Sequence, residues 1–127
     1  AVMPQHGIDQ LAVAAIEGAI VLIQFEAPEI ANFPSFPDRV KAVAARGAAA
    51  VIGIIGDDRR WRAYREVYGE ERTRLESDPP APIQGVMSQP AASRLLAASG
   101  TTLETLLSAA PGPAFKAVPL ALKADLE

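Results

Sequence analysis

Two short apolar runs bracket a capped amphipathic stretch, and this arrangement constrains the fold more than any other feature of the chain. The first run, Ala19-Ile20-Val21-Leu22-Ile23-Gln24-Phe25, follows Gly18. The second is Ala48-Ala49-Ala50-Val51-Ile52-Gly53-Ile54-Ile55-Gly56. Runs this short, rich in β-branched residues and punctuated by glycine, read as strands buried on both faces. Between them Ser35 is a helix cap, Pro37 is tolerated in the first turn, and Asp38 stands three residues after the cap. Phe36, Val40, Val43 and Ala44 share one helical face, with Arg39, Lys41 and Arg46 mostly off it. Gly47 suits a left-handed helix stop. Strand, helix and strand in this order predict a parallel, right-handed βαβ crossover, hence an α/β fold.

The remaining chain divides by punctuation. Pro28, Pro34 and Pro37 mark a loop before the first helix, and Pro79-Pro80-Ala81-Pro82 closes a polar stretch. That stretch, residues 57–80, holds half of the basic residues. Trp61, Tyr64, Tyr68 and Leu75 fall near helical spacing there, interrupted by Gly69. The pattern predicts an exposed helical excursion laced with salt bridges. Ile83-Gln84-Gly85-Val86-Met87 reads as a short strand, and Ser88 with Pro90 opens a helix with Ala92, Leu95 and Leu96 inward and Gly100 as its stop. Thr101-Thr102-Leu103-Glu104 matches a capping box for a further helix. From Leu120 to Leu126 apolar residues alternate with Lys123 and Asp125, predicting a half-buried strand, and Pro119 puts it at a sheet edge.

With 127 residues, the chain has room for one domain, taken as residues 1–127. A formal net charge of −3 offers no basic excess for a phosphate backbone, which disfavours nucleic acid. The absence of cysteine removes thiolate chemistry and cysteine-ligated zinc. No apolar run approaches the roughly 18–20 residues of a membrane span. The start, Ala1-Val2-Met3-Pro4-Gln5-His6, has neither an initiating Met nor the charged and apolar regions of a signal peptide, which fits a mature or excised segment.

Candidate chemistry is sparse. His6 is the lone histidine, without the partners that a catalytic base or a zinc site needs. Gly53-Ile54-Ile55-Gly56-Asp57-Asp58 is neither a dinucleotide fingerprint nor a P-loop, and Asp57 and Asp58 lack calcium-loop spacing. Glu70-Glu71 sits in the polar stretch as a solvated pair. No catalytic, cofactor-binding or metal residue is therefore assigned. The only Trp and both Tyr residues lie within 57–80. Aromatic rings at helical spacing ordinarily pack inward, but beside arginines they match the composition of interface hot spots. The possible interaction surface is Trp61, Tyr64, Arg65 and Tyr68.

The order of these pieces resembles the protease-associated (PA) domains. Glu17-Gly18-Ala19-Ile20-Val21-Leu22-Ile23 is similar to that family's "GKIVLI" strand, with Ala19 at the usual lysine. Residues 38–52 resemble its helix-to-strand passage, with Phe36, Val40 and Gly47-Ala48 keeping the frame. Pro82-Ile83-Gln84-Gly85-Val86-Met87-Ser88 followed by Ala92-Ser93-Arg94-Leu95-Leu96 resembles a third segment, and Leu120–Leu126 the closing strand. The likeness spans residues 7–126 and is closest to the version inserted in zinc-dependent aminopeptidases. It implies a β-rich α+β fold with open sheet or barrel layers flanked by short helices. It also implies a non-catalytic part of a larger peptidase, shaping substrate access or binding peptide or protein. Its partners would be the catalytic domain of the same chain and a peptide or protein substrate. Zinc would belong only to that catalytic domain, and the parent would be secreted, periplasmic or membrane-anchored. The other readings are a free-standing interaction or receptor module and a small flavodoxin-like nucleotide-binding protein.

Overall fold

The structure is a computed structural model that describes residues 2–3, 8–12, 14–29, 31–68, 82–110 and 114–124, without the side chains of Val2, Met3, Ile8 and Tyr68. A two-stranded antiparallel hairpin, β1 (Val2–Met3) and β2 (Ile8–Asp9), precedes the main sheet. The main sheet holds β3 (Ile20–Gln24), β4 (Ala50–Ile55) and β5 (Ile83–Ser88), parallel and in the order β3-β4-β5. Helices α1 (Phe36–Ala44), α2 (Asp58–Tyr68), α3 (Gln89–Ala98) and α4 (Leu103–Ala109) complete the fold. The architecture is α/β with an open parallel sheet. Among the described residues helix outweighs strand and the parallel sheet is open, in keeping with the α/β class.

The expected crossover is present, and a second parallel connection follows it through α2. Register places Val21 beside Val51, and Gly53 between Ile23 and Val86. These residues point to the face covered by α1, where Val40, Val43 and Val51 pack with Leu11 and Ile16. The opposite face carries Leu22, Ile54 and Met87 under Ala92, Leu96 and Leu103 of α3 and α4. Strand β4 is thus sandwiched between helical layers, and Val51 has no exposed surface. That is why its sequence is apolar without alternation.

Local chemistry sets the helix ends. The Ser35 hydroxyl accepts the Asp38 N–H, and Gly47 takes φ +87° as its carbonyl accepts the Gly18 N–H at 2.7 Å. A side chain at Gly47 would be strained in that left-handed conformation. Four expectations need correction. Thr102 rather than Thr101 caps α4, accepting the Thr105 N–H at 3.2 Å, so Glu104 falls one position short of the capping-box site. Leu95 remains 36% exposed, because the buried stripe of α3 is the i, i+4 pair Ala92 and Leu96. Arg39 is buried rather than solvated. Residues 120–124 form no strand: no described strand runs alongside them, and Leu120 packs into the α3–α4 cluster while Val118 and Leu122 stay largely exposed. Residues 125–127 lie outside the described residues.

Asp9 joins three distant segments. Its carboxylate pairs with Arg46 at 2.7 Å and accepts the Leu11 N–H, while its carbonyl accepts from Lys116. Beside it the Gln10 carbonyl accepts the Ala117 N–H at 2.9 Å. The hydrogen bond from Arg46 is the main reason the Asp9 carboxyl lies below its ordinary range. A carboxyl lowered in the folded state contributes stability above its unfolded pKa of about 3.9, and that contribution disappears as pH falls through the folded value. Thermal melts of Asp9→Asn against wild type should therefore differ near neutrality and converge on acidification below about pH 4. A gap that stays constant across this range would remove Asp9 as a source of acid sensitivity.

Candidate functional site

Helix α2 springs from the carboxyl end of β4 after a two-residue turn, Gly56-Asp57. Asp57 starts it: its carboxylate accepts the Arg60 N–H at 2.8 Å, and its carbonyl accepts the Trp61 N–H. The bond from Arg60 lowers the Asp57 pKa, with desolvation opposing and the Arg59 N–H and both arginine charges adding. Asp57 thus serves as a helix cap.

The inner side of α2 is fixed by an aromatic stack. Tyr64 meets Phe25 edge-on at a centroid distance of 4.6 Å, and Phe25 meets Phe36 of α1 at 4.5 Å. Trp61, one turn earlier, is half-buried. Of the four residues proposed from sequence, Trp61 and Tyr64 therefore form or flank the packed side, and Arg65 is exposed. Tyr68 is the last residue of the helix, and its ring lies outside the described residues. Arg59, Arg60 and Arg62 are also exposed, so the basic surface is larger than Arg65 alone suggested. Among the described residues the salt bridge is Arg46–Asp9 and α2 carries none, while Glu70, Glu71, Glu76 and Asp78 of the expected salt-bridged stretch lie outside the described residues. The expectations on Gly69, Glu70-Glu71, Leu75, Pro79-Pro80-Ala81 and His6 lie outside the described residues.

An open concavity of about 500 Å³ lies where β4 and β5 end, lined by Gly56, Asp57, Asp58, Gln89, Pro90 and Ser93. The carboxyl edge of a parallel sheet is where α/β proteins commonly bind ligands, often anions on helix N-termini. Here the chain's own carboxylates take that role. Glu26 accepts the Gly56 N–H through both oxygens at 3.1 and 3.2 Å, and Asp57 holds the Arg60 N–H. A phosphate would have to displace them and face Asp58 as well.

Sequence reasoning missed Glu26 and Arg39. Arg39 donates from Nη1 to the Gln24 carbonyl at 2.5 Å and from Nη2 to the Phe25 carbonyl at 2.7 Å. Its guanidinium carbon lies 5.3 Å from the Phe33 ring centroid and 5.7 Å from that of Phe36. Burial lowers its pKa, and the Glu26 charge opposes the shift. The available signal was three phenylalanines, Phe25, Phe33 and Phe36, around one arginine. Among the described residues no three His, Asp or Glu side chains gather as metal ligands would, and no helix is long and apolar enough to cross a membrane. No family model, curated protein or solved structure matches the chain.

Proposed function

We propose that this chain is a non-catalytic accessory domain of protease-associated type, belonging to a larger zinc-dependent peptidase. On this reading it shapes substrate access or binds peptide, with α2 as the contact element. One observation carries the reading: the residues that keep the PA-like frame are those that join β3, α1 and β4. Phe36 lies over Gly53, Val40 is buried between α1 and the sheet, and Gly47 ties the end of α1 to Gly18. The sequence likeness therefore falls on residues with a structural role, as expected for a shared scaffold. The filled donors at Gly56 and Arg60 favour this reading over a nucleotide-binding protein.

The chain supplied with zinc and a panel of aminoacyl-p-nitroanilides is expected to release no product. Turnover that copurifies with the folded chain and persists in a repeat preparation would overturn the non-catalytic assignment. The full-length polypeptide carrying residues 1–127 is expected to include a separate His/Asp/Glu metal-ligand set. A host with a membrane span and no such set would make it a receptor module instead.

A further inference from the structure

We infer that the outer face of α2 binds a short acidic peptide segment, with Arg59, Arg62 and Arg65 gripping its carboxylates. All three are exposed and follow one another at i, i+3 and i+6. At 1.5 Å per residue their Cα atoms span about 9 Å along the helix. Same-side carboxylates of an extended peptide recur about every 6.7 Å, so two neighbouring acids fall within the reach of three guanidinium groups.

The composition of α2 is specific. It carries four arginines and no lysine, and a guanidinium presents a planar fork matched to a carboxylate. The chain's net charge is −3, so this is a local concentration and not a general basic character. None of these arginines has an ion-pair partner among the described residues. The helix is also held in place, because Tyr64 packs on Phe25 behind it and less ordering cost falls on binding. Asp58 and Glu66 are exposed on the same helix and repel any anion, but a peptide whose acids alternate with neutral residues can hold its charges away from them, which a continuous phosphate chain cannot.

This inference rests on α2 being the contact face, but it needs no peptidase host. Trp61 is the only tryptophan, so its fluorescence reports on α2 directly. The probe is a short blocked peptide of alternating Glu and Ala, titrated into the chain beside its Gln-for-Glu counterpart. The Glu peptide is expected to bind, weakening severalfold between low and physiological salt as Debye screening shortens. The triple variant R59Q/R62Q/R65Q should lose roughly tenfold, the sum of three modest surface contacts. The control K41Q/R94Q should stay within about twofold of wild type, because those exposed residues lie off α2. If the triple variant melts early, the single variant R62Q replaces it, with a loss of roughly two- to threefold. Equal binding of the Gln peptide, no binding of the Glu peptide, or tighter binding of polyphosphate at equal charge would each overturn the inference. Binding by a chain whose full-length host is no peptidase would leave it standing and sink the accessory-domain reading instead.

Discussion

Gly53→Ala should destabilise the chain by roughly 1–3 kcal/mol, although replacing glycine inside a strand ordinarily helps. Gly53 is buried in the middle of β4. A Cβ placed there would stand 2.7 and 2.8 Å from two atoms of the Phe36 ring and 3.2 Å from Phe25. The first two distances are closer than carbon atoms can pack, so Phe36 must move. Phe36 is the first residue of α1, and its ring leads through Phe25 to Tyr64 of α2. One methyl group therefore presses on the stack that seats both helices. Gly85 supplies the control in the neighbouring strand: a Cβ there meets nothing within 4 Å, and Gly85→Ala should be neutral or mildly stabilising. Urea unfolding followed by Trp61 fluorescence would measure both variants. Phe36→Leu should recover part of the loss in the Gly53→Ala background, a coupling expected only of touching residues. Equal stability of the two glycine variants would show that the Phe36 ring yields at no cost.

Gly53 also marks the limit of what the sequence discloses. The apolar runs, Ser35, Gly47 and Gly100 punctuate the chain locally, and each element they delimit forms close to its expected position. The glycine in the second run reads equally well as a strand residue or as part of a turn motif. Only the approach of Phe36, seventeen positions earlier, explains it. The same limit applies to Arg39. Helical periodicity puts it at the margin of the apolar face, and its burial depends on carbonyls of β3 that no local pattern can bring near. The Leu120–Leu126 alternation fails for a related reason, since a strand needs a neighbour as well as a pattern. For α2, the helical spacing of the aromatic residues pointed them inward but not to what they would meet. Tyr64 turns to Phe25, leaving the arginines outward, because the end of β3 offers an apolar surface at that height.

Replacing Arg39 should be among the costliest changes away from the apolar core, and the ranking of its variants tells what the residue does. Arg39 is buried, yet among the described residues no carboxylate hydrogen-bonds to it, and its Nε has no partner. A buried cation without an ion pair is retained at the expense of its hydration. What it gains is a fork onto the Gln24 and Phe25 carbonyls, where the chain leaves the sheet, and two flanking rings. Arg39→Ala should cost about 3 kcal/mol, since both carbonyls lose a charged donor and the space beside the rings empties. Arg39→Lys should cost about 2 kcal/mol, because an ammonium group keeps the charge but can neither span both carbonyls nor lie flat on a ring. Arg39→Met should cost least, about 1–2 kcal/mol, because it keeps the stem between the rings and discards the buried charge with its unsatisfied Nε. If Lys proves the mildest variant, attraction to Glu26 outweighs the fork. The effect should also reach α2, because Glu26 follows directly on the clamped strand end and holds the Gly56 N–H from which α2 departs. In Arg39→Ala, Trp61 fluorescence should therefore shift at lower urea than the far-ultraviolet signal of the whole chain. Coincident transitions would mean that the clamp, the turn and α2 unfold only with everything else.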